Sequence, residues 1–157
     1  MRPERVRRGE ARVVGIQALT SSRLEADPAT AAIPALWRRF EAEGLGGRIP
    51  GRTGGRSTCA VYSDYQGGDG GGFRYLVGAE VGGADQPPSG MTAVTVPAGD
   101  YLVFAARGPL PEALAATWER ISAFFEHAPL ARAWTADLEI HYPAGSAVDV
   151  LVAVRDR

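Results

Sequence analysis

Asp137, Glu139 and His141 alternate along the run Asp137-Leu138-Glu139-Ile140-His141-Tyr142. In an extended strand these three share one face, and Leu138, Ile140 and Tyr142 take the other. The apolar set belongs on the core. Glu139 then has two readings. It is either a surface strand carboxylate among polar neighbours, or a carboxylate at the base of a groove lined with aromatic rings. In the second case a desolvated carboxylate needs a partner, and a flat, hydrophobic cation held against ring faces would supply one. Tyr62, Tyr65, Tyr75, Tyr101 and Phe104 lie in strand-like runs that can contribute such rings. Trp37 and Trp118 lie on helix-like runs, where each is either core or ligand cage.

Other chemistries find less support. Glu80 and Glu139 fall in strands of different halves and could act as acid and base if their environments pushed their pKa values apart. An ordinary strand-face role is the plainer account of Glu80. His127 and His141 are the only histidines, and no His-Glu-x-x-His run exists, so a histidine zinc site is not expected. Cys59 is the only cysteine, which rules out an intramolecular disulfide and a thiolate cluster. All 17 basic residues are Arg, so no lysine is present for Schiff-base chemistry. No serine sits in Gly-x-Ser-x-Gly. The run Gly67-Gly68-Asp69-Gly70-Gly71-Gly72 is not followed by Lys-Ser/Thr, so it reads as a hairpin connection rather than a phosphate loop. No cofactor and no metal are expected.

The elements that must position these groups come in two similar sets. The first reads strand 12–19, helix 31–43, strand 58–65 and strand 73–81. The second reads strand 99–106, helix 111–126, strand 136–142 and strand 148–154. Each helix carries a Trp, and a Tyr (Tyr65 or Tyr142) closes each following strand. Pinning Tyr65 on Tyr142 makes Tyr62 the counterpart of Glu139, so the two approach one groove from opposite halves in that register. Ile33, Leu36, Trp37 and Phe40 give the first helix one apolar face. Pro34 suits its first turn and Gly44 its stop. Leu114, Trp118, Ile121 and Phe125 form the stripe of the second. Asp85-Gln86-Pro87-Pro88-Ser89-Gly90 is a turn-rich connector, and 91–96 is extended. Arg2, Arg5, Arg7, Arg8 and Arg12 form either a solvated entry to the first strand or a basic arm for phosphates.

The chain of 157 residues is long enough for one real core, with 45% hydrophobic and 22% charged residues. Its formal net charge of −1 offers no global basic field to nucleic acid or acidic lipid. No signal-peptide stretch and no run of about 18 apolar residues is present. A cytoplasmic protein is expected, with a homodimer open through an exposed strand edge.

The residues also carry a resemblance. Ala60-Val61-Tyr62-Ser63-Asp64-Tyr65, Phe73-Arg74-Tyr75-Leu76-Val77-Gly78-Ala79-Glu80-Val81, Pro97-Ala98-Gly99-Asp100-Tyr101-Leu102-Val103-Phe104 and Ala136-Asp137-Leu138-Glu139-Ile140 resemble the GyrI-like small-molecule-binding domain. That domain is also the effector-binding part of AraC- and MerR-type multidrug regulators. The likeness spans 13–154. It implies an α+β domain over 1–157, with approximate repeats 12–81 and 99–154. Two strand-helix-strand-strand units would share a curved antiparallel sheet with a central groove. It implies that Glu139 meets a cationic ligand. The expected function is then binding of a hydrophobic, cationic small molecule anchored by Glu139, with Tyr62, Tyr65, Tyr75, Tyr101, Phe104, Trp37 and Trp118 offering ring surface and His141 beside them. His141 stands where the family often has an aromatic residue, which leaves the far wall and the ligand charge preference open. No helix-turn-helix precedes the domain, so direct DNA binding is not expected. Stand-alone members of such a family sequester or sense drugs, hydrolyse electrophilic cyclopropane genotoxins, or inhibit gyrase.

Overall fold

The computed structural model describes residues 2–67, 71–83, 85–145 and 147–157. In chain order they form β1 (Glu4–Arg8), β2 (Ala11–Ser21), the single turn α1 (Ser22–Glu25), α2 (Ile33–Ala42), β3 (Thr58–Ser63), β4 (Gly72–Val81) and β5 (Thr92–Val96). The rest is β6 (Gly99–Arg107), α3 (Glu112–His127), β7 (Leu130–His141) and β8 (Ala147–Asp156). All eight strands join one sheet in the order β1-β6-β8-β7-β3-β4-β2-β5, and every described pairing is antiparallel.

The expected duplication is visible in that order. Outward from the centre, one half runs β3-β4-β2-β5 and the other β7-β8-β6-β1. The edge strands are exchanged: β1 precedes the first unit in sequence but borders the second, and β5 precedes the second unit but borders the first. At the centre Val61 faces Leu138, with Ala60 opposite Glu139 and Tyr62 opposite Asp137. A half-turn about the Val61–Leu138 pair swaps β3 with β7 and carries Tyr62 onto Glu139, which is the register the tyrosine pinning predicts.

Both faces of the sheet are packed, so β4 and β8 read as nearly unbroken apolar runs rather than alternating ones. On one face α2 buries Leu36 and Phe40 against Val14, Ile16, Tyr75 and Val77. On the same face α3 buries Ile121 against Phe104, Val148, Val150 and Val152. The groove between the helices lies over β3 and β7. Among the described residues the other face has no helix. There the sheet curls until β5 touches β7, enclosing Val13, Val61, Leu76, Val96, Tyr101 and Leu138.

Boundaries shift where local chemistry explains it. Helix α2 has Pro34 in its first turn and ends at Gly44, whose φ of +60° is the left-handed C′ conformation glycine tolerates. Strand β7 begins at Leu130 rather than 136, because an irregularity between Arg132 and Asp137 interrupts its alternation. The basic N-terminal run is a largely exposed lead-in rather than a free arm, with Arg5 and Arg7 open to solvent. It is edge strand β1, with Arg5 and Arg7 paired to Asp100 and Arg8 paired to Glu80. The glycine run joins β3 to β4, which pair antiparallel as expected, though 68–70 lie outside the described residues. Among the described residues no helix is long and apolar enough to cross a membrane.

Cys59 is 5% exposed, and burial pushes its thiol up to about 11. The native thiol is therefore expected to react with a maleimide at pH 8 about a hundredfold more slowly than the urea-unfolded chain. Equal labelling rates would contradict its burial. The sign for stability follows. Below about pH 9 the thiol is protonated in both states, and above it only the unfolded chain ionises freely, so stability falls as pH rises toward 11.

Candidate functional site

Glu139 lies on the helix-bearing face of β7 and is 1% exposed, so it is not a surface carboxylate. Its Oε2 accepts the Tyr62 hydroxyl at 2.7 Å and the Trp118 indole N–H at 2.8 Å. Its Oε1 lies 2.8 Å from His141 Nε2. Strand β3 supplies Tyr62, α3 supplies Trp118 and β7 supplies the other two, so three elements converge on one carboxylate. Four aromatic groups surround this point. Tyr62 meets Tyr75 edge-on at 5.0 Å and Trp118 at 5.2 Å between centroids. Trp37 lies 4.6 Å from the His141 ring and donates its indole N–H to the Tyr75 hydroxyl at 2.7 Å. Burial, and then the negative charge of Glu139, push both Tyr62 and Tyr75 well above the usual tyrosine range. They remain O–H donors across the neutral and mildly alkaline range.

The groove is divided by this cluster. On one side a pocket of about 410 Å³ is walled by Tyr62, Tyr65, Phe73, Trp118, Arg132 and Trp134. That volume suits a small organic ligand. Glu139 does not line it. It lies behind Tyr62 and Trp118, which present rings to the pocket and turn their polar hydrogens inward. On the other side a more open cleft of about 770 Å³ has Trp37, Phe40, His141 and Tyr142 among its walls.

A second buried carboxylate stands beside the first. Asp137, also 1% exposed, is paired with Arg132 at 2.6 Å, accepts the Ala153 amide at 2.9 Å and accepts the Tyr65 hydroxyl. Burial and the Asp137 charge push Tyr65 upward as well. The Arg132 guanidinium stacks 3.8 Å over Trp134 and stands 5.8 Å from Tyr65 and 5.9 Å from Trp118.

Seven sequence-predicted residues are thus brought together: Glu139, Tyr62, Tyr65, Tyr75, Trp37, Trp118 and His141. Three are not. Glu80 sits opposite Val13 in the β2–β4 ladder, on the face without helices, and is paired with Arg8 at 3.1 Å. It cannot meet Glu139 through the sheet, so the proposed acid–base pair is not assembled. Tyr101 is 1% exposed in the core of that same face, with its hydroxyl on the Pro97 carbonyl. Phe104 packs on Phe124 and Phe125 beneath α3, away from the groove. Sequence reading missed Arg132, Trp134, Phe73 and Glu25. Trp134 has φ +58°, rare for a bulky side chain, and lies inside the β7 irregularity. Glu25 lines the pocket while its carboxylate accepts the Ala32 and Ile33 amides at the start of α2, 2.8 and 3.1 Å away. The three tryptophans with a break in alternation at 132–137 were the available signal.

A duplicated sheet with a pocket between its two helices, floored by aromatic rings over a buried acid, is the layout of a small-molecule effector-binding protein of GyrI-like type. The family model described as "Cass2: Integron-associated effector binding protein" matches residues 6–154, and the chain belongs to that family. YobU of Bacillus subtilis (strain 168), named as a candidate transcriptional regulator, is 27% identical over 150 residues, covering 92% of each chain. An integron cassette protein from the mobile metagenome of Vibrio cholerae shares the fold with a TM-score of 0.83 and 24% identity, over 99% of this chain and 97% of that one. SAV2435, solved with tetraphenylphosphonium bound, has a TM-score of 0.78 and 16% identity over 99% and 94%.

Proposed function

We propose that residues 1–157 act as one effector-binding domain that captures a hydrophobic organic cation in the pocket walled by Tyr62, Tyr65, Phe73, Trp118 and Trp134, with Glu139 as its electrostatic anchor. One observation carries this reading: two buried carboxylates lie side by side, and among the described residues only one has a guanidinium. Asp137 is compensated by Arg132. Glu139 is held by the neutral donors Tyr62 and Trp118 and by His141, which is charged only if protonated. A buried charge without a countercharge is costly, and a bound cation supplies one. The ring faces add cation–π attraction, about 0.5–2 kcal/mol each. The likeness to SAV2435, solved with a lipophilic phosphonium ion, supports the same ligand class.

The test is calorimetric titration with tetraphenylphosphonium and with neutral triphenylphosphine oxide, in wild type and Glu139→Gln. A unit charge held about 7 Å from a carboxylate at an effective dielectric constant of about 20 gains about 2 kcal/mol. Wild type is therefore expected to prefer the cation, and Glu139→Gln to lose about thirtyfold in cation affinity while holding the neutral compound unchanged. Cation affinity unaltered by the substitution would remove the anchor.

A further inference from the structure

The pocket already contains one cation of its own. The Arg132 guanidinium stands among the rings of Trp134, Tyr65 and Trp118, the surfaces that would receive a ligand cation. Its side chain is 12% exposed, one end is pinned to Asp137, and its Nε has no partner among the described residues. Arg132 lines both this pocket and the neighbouring cavity at Ser122, Phe125 and Arg155. Its ion pair with Asp137 and its stacking on Trp134 hold its positive charge in the site.

The charges can then be counted. Asp137 and Arg132 cancel. Glu25 stands at the pocket edge with its charge directed onto the first amides of α2, where the helix dipole offsets part of it. Glu139 is left with one negative charge that no guanidinium among the described residues meets, and its neighbour His141, 2.8 Å away, offsets that charge only when protonated. The deep part of the site can balance one positive charge, and a second would have to sit against Arg132 across rings that both cations seek.

We propose that Arg132 sets the valence of the ligand, so that the site accepts hydrophobic monocations and rejects isosteric dications. The inference rests on the cation-binding reading above and narrows its ligand class. It also gives Arg132 a role distinct from its ion pair. An arginine needed only to hold Asp137 would influence all ligands alike, whereas a valence filter affects them according to charge.

Three probes of nearly one shape separate these possibilities: neutral 4-phenylpyridine, the monocation 1-methyl-4-phenylpyridinium and the dication 1,1′-dimethyl-4,4′-bipyridinium. Binding is read by quenching of tryptophan fluorescence and by calorimetry at pH 8.5, above the ordinary histidine range. Wild type is expected to bind the monocation at least about tenfold more tightly than either of the others. Arg132→Gln is expected to favour the dication by a similar factor, since Asp137 then joins Glu139 as an unmatched charge. Arg132→Lys keeps the charge and should restore the wild-type order. A dication bound as tightly as the monocation, with both ahead of the neutral compound, would overturn the valence filter and leave the cation site standing. A neutral compound bound as well as the monocation, or no binding of any of the three, would overturn the underlying reading instead. If Arg132→Gln does not fold, the wild-type ratio carries the test, since a dication bound as tightly as the monocation overturns the filter by itself.

Discussion

Gly15→Val is expected to cost the protein more than about 4 kcal/mol of stability, enough to leave a marginal fold largely unfolded. Gly15 on β2 faces Gly78 on β4 directly in the ladder. A Cβ on Gly15 would overlap the Val77 carbonyl oxygen and lie 2.6 Å from Gly78 Cα. A Cβ on Gly78 would overlap the Val14 carbonyl oxygen and lie 2.8 Å from Gly15 Cα. The obstacles are backbone atoms, so no rotamer change relieves them, and the two chains approach so closely only because neither carries a side chain there. The ladder would have to open between Arg12 and Ser21, along the longest strand pairing of the first unit. Strand β4 also carries Tyr75, which receives the Trp37 indole N–H, so a displaced β4 would take part of the site with it. Gly9 is the control, since a Cβ there meets nothing within 4 Å. Urea titration followed by tryptophan fluorescence should place Gly9→Ala within about 0.5 kcal/mol of wild type. A folded Gly15→Val with a wild-type midpoint would show that β2 and β4 are not packed this closely.

The order of elements was legible because each long element has a clean period. Strands 73–81 and 148–154 are apolar and bounded by turns, and the two helices carry unambiguous stripes. The Trp and Tyr pins then made the duplication readable, and with it the approach of Tyr62 to Glu139. Of the two edge strands, 92–96 was legible as extended and Glu4–Arg8 was not. Glu4–Arg8 reads as a charged tail because its arginines find acids on β6 and β4, and a single sequence does not show those partners. Tyr101 and Phe104 were assigned to the groove because alternation separates two faces without saying that both are buried. Here one face holds the groove, while the other encloses Tyr101 in a core of its own. Phe104 shares the helix-bearing face with Glu139, but α3 covers it. Arg132 and Trp134 were hidden for a different reason. They lie in the segment where β7 loses its alternation, so no strand rule predicts where they point. The irregularity places the valence-setting charge, and it is the part of the site least constrained by pattern.

The same irregularity makes Asp137 the residue whose loss should reach furthest. Asp137→Ala is expected to cost about 3–5 kcal/mol, because breaking one partner of a buried ion pair leaves the other uncompensated. Arg132 would keep its burial among Tyr65, Trp118 and Trp134 with no acid to meet it. The Ala153 amide and the Tyr65 hydroxyl would lose their acceptor in the same stroke. The substitution also adds one net positive charge beside Glu139, so ligand cations should bind more weakly even where the protein remains folded. These two consequences separate in a double-mutant cycle. Arg132→Gln, Asp137→Asn and their combination close the cycle, and the double variant removes both charges while keeping polar atoms that can bond to the backbone and to each other. The double variant is expected to recover at least about half of the stability lost by Asp137→Asn alone, and it should bind monocations nearly as wild type does, because Glu139 again carries the one unmatched charge. Additive losses in the cycle would mean that Arg132 and Asp137 do not act as a pair, and the contrast between a compensated and an uncompensated carboxylate would no longer support the proposed role of Glu139 as a cation anchor.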